Sequence, residues 1–100
     1  MADILTTEKP KTITLVDGNE YNLPPLDMTT LANIEESLGF GINGISQRLE
    51  DKPMVLMRQL IYAILKENYP AMTIDEVGHL ITIKEMAALS DIISKIMALS

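Results

Sequence analysis

The hydrophobic pattern changes character along this chain, and its densest part is residues 53–69, PMVLMRQLIYAILKENY. Turned at ~100° per residue, this stretch sets Met54, Leu56, Met57, Leu60, Ile61, Ala63, Ile64 and Leu65 on an arc of roughly 200°. Arg58, Gln59 and Lys66 keep a strip that they share with Val55 and Tyr62. So wide an arc predicts a helix that its neighbours bury. Pro53 suits a first helical position, where a missing N–H costs nothing, and Pro70 marks the end because the residue before a proline avoids helical dihedrals.

Upstream, the period is two. In KTITLVDGNEYNL, Ile13 and Leu15 alternate with Thr12, Thr14 and Val16, Asp17 and Gly18 supply a turn tolerant of positive φ, and Tyr21 and Leu23 resume the alternation. This predicts a β-hairpin of residues 12–16 with 20–23, which needs a helix over one face to be stable. Pro24 and Pro25 stop the second strand, because neither can donate to a ladder. A short helix then starts at Asp27 or Thr29, presents Leu31, Ile34 and Leu38 as one stripe, and ends at a left-handed Gly39. Residues 44–50 add another turn or two, with Ile45 and Leu49 four apart.

Downstream of Pro70 two capping boxes follow one another, Thr73 with Glu76 and Thr82 with Glu85. They predict helices over residues 74–81, with Val77, Leu80 and Ile81 inward, and over 83–98. The latter sets Met86, Leu89, Ile92, Ile93, Ile96 and Met97 against Lys84, Asp91, Ser94 and Lys95, the cleanest amphipathic stripe in the chain. The fold class is therefore α+β and mostly α: an N-terminal hairpin followed by four or five helices packed around a buried central helix. Residues 11–100 form the single domain, and residues 1–10, without periodicity, form a flexible leader.

Composition narrows the function. At 100 residues the chain buries roughly 60 to 70% of its unfolded surface without staples. Without cysteine and with one histidine it offers no zinc site and no dependence on redox compartment. A net charge of −6 repels phosphate backbones, which argues against nucleic acid. The N-terminal stretch has no apolar run to act as a signal peptide, and no window approaches the ~18 apolar residues of a membrane span, so a cytosolic protein is expected. Seven methionines, with one Phe and no Trp, serve either as core filler or as an adaptable binding surface.

The motifs that could carry catalysis or a cofactor do not assemble. GFGING, residues 39–44, matches the three-glycine dinucleotide pattern, but that chemistry needs a strand before the glycines and here a helix precedes them. Ser37 in EESLGF resembles the modified serine of acyl carrier proteins, yet it closes a helix instead of opening one, and Glu36 stands in place of the aspartate. Asp75 and His79, four apart, share a helix face without a nucleophile or pocket to act on. The acidic residues are scattered and do not alternate as in a calcium loop. The expectation is a non-enzymatic protein with no cofactor and no metal.

Taken together, ITLVDGNEYNLPPLDMTTL and ENYPAMTIDEV resemble the small tail assembly chaperones of long-tailed bacteriophages. The resemblance runs from Thr12 to the C-terminus and is carried by Tyr21, Leu23, Pro24, Pro25, Leu26, Tyr69, Pro70, Met72, Thr73, Glu76 and Val77. It implies transient binding to apolar helical segments of the tape-measure protein during tail morphogenesis, in the host bacterial cytoplasm, by a protein absent from the mature virion. The tail-tube protein and a second copy of the chain are further candidate partners. The alternative is a non-catalytic interaction or structural component that stays in the tail. The amphipathic stripe running to the chain end places the partner surface at Met86, Leu89, Ile93, Ile96 and Met97, because terminal turns open at low cost. The hairpin face around Tyr21 is the next candidate.

Overall fold

The computed structural model of the chain describes residues 12–98, so the leader expected over 1–10 lies outside the described residues. Strands β1 (Thr12–Thr14) and β2 (Glu20–Asn22) form an antiparallel hairpin with Thr12 opposite Asn22, Ile13 opposite Tyr21 and Thr14 opposite Glu20. The alternation turns Ile13, Leu15 and Leu23 inward. Gly18 takes the left-handed conformation, φ 83°, while its N–H donates to the Leu15 carbonyl at 2.9 Å. Six α-helices follow among the described residues: α1 (Met28–Leu38), α2 (Ile45–Asp51), α3 (Pro53–Leu65), α4 (Ile74–Leu80), α5 (Ile83–Ala88) and α6 (Ser90–Met97), with a 3₁₀ turn at Ile42–Gly44.

Helix α3 lies against α1, α2 and α4. Its Leu56, Leu60, Ile61, Ala63, Ile64 and Leu65 are buried and meet Ile34 of α1, Ile45 of α2 and Val77 of α4 in one core. The buried central helix is thus present, with one correction to its arc: Met54, expected inside, is 61% exposed. The helix also ends at Leu65, short of the expected Tyr69. Residues 66–68 continue as a tightened turn because their side chains are committed elsewhere. The Tyr69 hydroxyl accepts the Asn22 N–H of β2 at 2.7 Å, Asn68 donates to the Asn22 carbonyl at 2.9 Å, and Glu67 accepts from Asn33 of α1 at 3.1 Å. The two bonds to Asn22 dock the hairpin on the helices. At the hairpin's other end the Val16 N–H donates to the Leu80 carbonyl at 3.2 Å, and β1 lies against α5.

The caps sit where the sequence places them. Asp27 accepts the Thr30 N–H at 2.9 Å, Gly39 closes α1 at φ 85°, and Pro53 opens α3. Thr73 and Glu76 exchange side-chain and backbone hydrogen bonds at 3.2 and 2.8 Å. At α5, Glu85 accepts both the Thr82 N–H, at 2.7 Å, and the Thr82 hydroxyl. Those two donors hold the buried Glu85 carboxyl below its ordinary value of 4.5. The single helix expected over 83–98 is instead two, parted at Leu89, whose N–H is shared between the Glu85 and Met86 carbonyls at 3.0 and 3.2 Å. The turn tightens there because Leu89 itself is driven into the core, where it is 2% exposed.

Candidate functional site, a methionine-lined cleft

The apolar surface that the core leaves over gathers where α3 begins. Its first turn follows Lys52, which provides no side-chain cap, and presents Met54 and Val55 to solvent. Helix α4 faces this turn and carries Gly78, where another residue would carry a side chain. A Cβ there would sit 3.1 Å from Cδ of Arg58, so the Arg58 stem lies across the bare backbone of α4. The segment after α4 adds Ile81, and α5 adds Met86. Together they bound a cleft of about 370 Å³, floored by the buried Ile61 and Val77 and walled by Met54, Met57 and Met86.

The mouth of this cleft is polar. Arg58 stands on the α3 side and Asp75 and His79 on the α4 side. None of the three is engaged in a hydrogen bond or ion pair among the described residues. The floor offers flexible, polarizable contacts, and the rim offers charges of both signs, an arrangement suited to holding an apolar segment with polar flanks. Asp75 and His79 do share a face, and the pocket absent from the sequence reading is here; its lining provides no hydroxyl or thiol nucleophile. Among the described residues no group of three His, Asp or Glu side chains could hold a metal ion.

No protein-family model, curated protein or solved structure matches this chain.

The five residues expected to form the partner surface divide. Met86 lines the cleft. Leu89 and Ile96 belong to the chain's own core, at 2% and 0% exposure, and Ile93 and Met97 are half-buried against it. The stripe on α6 is thus mostly spent on the fold, because a narrow amphipathic face needs only one neighbour to cover it. The hairpin face around Tyr21 is also engaged: the Tyr21 ring meets Tyr69 edge-on with centroids 5.2 Å apart, and its hydroxyl donates to Asp17 at 2.7 Å. That bond lowers the Asp17 pKa and raises that of Tyr21.

Met54, Val55 and Met57 were not in the expected surface. The signal for Met54 and Met57 was the width of the α3 arc, more than the short neighbouring elements can cover along its whole length, and for Val55 its place on the polar strip beside Arg58. The glycine loop is self-contained: the Ile42 N–H donates to the Glu35 carboxylate at 2.8 Å, and the Arg48 guanidinium sits 4.0 Å over the Phe40 ring. No helix among the described residues is long and apolar enough to cross a membrane.

Proposed function

We propose that this chain is a holding chaperone of phage tail assembly, which binds apolar helical segments of the tape-measure protein in the bacterial cytoplasm and releases them as the tail forms. The observation that carries the reading is the open cleft walled by Met54, Met57 and Met86. An amphipathic helix laid into such a groove is read through anchors at i, i+3, i+4 and i+7, and methionine walls adapt to anchors of different shape. A chaperone needs that tolerance, because its client presents many apolar stripes and must later be let go. The resemblance adds support at the tertiary level. Tyr21 and Tyr69, which belong to its two separate segments, pack on one another.

Co-expression with overlapping helical fragments of a tape-measure protein tests the reading. The chain should keep such fragments in solution, and Met54→Ser with Met57→Ser should lose them while the fold persists. Failure to capture any fragment would overturn it. Stoichiometric recovery of the chain from purified mature tails would favour a structural component that remains in the particle.

A further inference from the structure

The cleft has a property that a simple receptor groove lacks: each copy of the chain carries both a recess and something shaped to fill it. Met54 and Val55, 61% and 44% exposed, project from the first turn of α3 beside the same cleft that Met54 helps to wall. Arg58 lies one turn further along from Val55 on the exposed strip of α3, and Asp75 lies on α4. Neither charge has an ion-pair partner among the described residues. The Arg58 stem crosses α4 at Gly78, one turn from Asp75, so a positive and a negative group stand side by side at the mouth, an arrangement that a two-fold axis makes self-complementary because each then meets its opposite on the other copy.

We propose that a second copy of this chain covers the cleft, in an isologous dimer whose two-fold axis passes beside Val55. The first turns of the two α3 helices pack antiparallel, each Met54 enters the other copy's recess, and each Arg58 pairs with the partner's Asp75. Gly78 contributes by lacking a side chain, which lets Arg58 reach over α4 to the mouth of the cleft. The net charge of −6 on each copy opposes association, and a contact made by one cleft and one helical turn is small, so the dimer is weak and concentration-dependent. The inference stands on the cleft's own geometry and does not require the tape-measure reading. If both hold, a client and a second copy compete for one surface.

Charge reversal tests the symmetry directly, with mass followed by sedimentation equilibrium from about 10 μM to 1 mM, a range that brackets weak association. The unaltered chain should dimerise within it. Arg58→Glu alone places two acids together at each contact, and Asp75→Arg alone places two bases together, so each should weaken the dimer by about tenfold or more. Mixed in equal amounts, the two variants should form a heterodimer, since Glu at position 58 of one then faces Arg at position 75 of the other at one contact, while the unaltered Arg58 and Asp75 face each other at the second. Circular dichroism and urea midpoints check that each variant is folded. Should a reversal disturb the fold, Val55→Glu on the axis must by itself leave a monomer. An unaltered chain that is monomeric throughout, single variants that associate as it does, or a mixture of folded variants that stays monomeric would each overturn the proposal.

Discussion

The first turn of α3 and the last turns of α6 carry the same kinds of side chain, methionine with branched aliphatics, and meet opposite fates. Met54 and Val55 stand in solvent, whereas Ile92 and Ile96, close to the chain end, are sealed at 5% and 0% exposure. Terminal position does not decide burial. What decides it is whether a neighbour reaches the side chain. Helix α6 presents one narrow stripe, and one packed surface satisfies it. Helix α3 is apolar over far more of its circumference. From Leu56 onward it is buried against its neighbours α1, α2 and α4, while its front turn leaves Met54 and Val55 exposed and Arg58, just beyond that turn, crosses Gly78 of α4. An oversupplied helix leaves its surplus at the surface, and there the surplus forms the cleft.

The largest effects should come from the sealed side of this comparison. Leu60→Ala in α3 and Ile96→Ala in α6 each remove a fully buried side chain and should cost ~2 to 5 kcal/mol, a large share of a typical total of ~5 to 15. Urea midpoints measure both. A near-neutral Ile96→Ala would mean that the end of α6 is loose, and would return the partner surface to that helix.

Gly78→Ala sharpens the other side. The added methyl meets the middle of an exposed, flexible Arg58 side chain, which can move aside, and alanine favours the helix. Thermal unfolding should show a gain of about 0.5 to 1 kcal/mol. A loss would mean that Arg58 is held firmly in place across α4.

Glu85 offers a smaller, pH-dependent probe of the region that aims the terminal stripe. Its carboxyl is held below 4.5 in the folded chain, so the stability it contributes is present above pH 4.5 and is lost as pH falls through the depressed value. Glu85→Gln should therefore unfold at lower urea than the parent at pH 7, with the gap closing below pH 4.5. A gap unchanged by pH would assign the effect to packing instead of ionisation.

The smallest stability effect belongs to the exposed turn. Met54→Ser should change the urea midpoint by no more than about 0.5 kcal/mol equivalent, yet weaken whatever the cleft holds. A large destabilisation would put Met54 in the core after all and remove the cleft's wall.

The local grammar of this fold was written in the sequence. Asp17-Gly18 turns the hairpin, Asp27 and Gly39 bound α1, Pro53 opens α3, and Thr73 with Glu76 starts α4, because each of these depends on dihedral preferences and hydrogen bonds within a few residues. The buried identity of Leu60, Ile61 and Ile64 followed from period alone. The sites of decision between elements were not legible. Nothing in the period of residues 66–69 says that the helix must stop early so that Asn68 and Tyr69 can hold Asn22, a contact spanning more than forty residues of chain. Nor does the stripe of 83–98 say that Leu89 and Ile96 find cover while Met54 does not. An apolar face records that a side chain prefers to leave water; only the packed arrangement of the other elements determines which faces run out of neighbours.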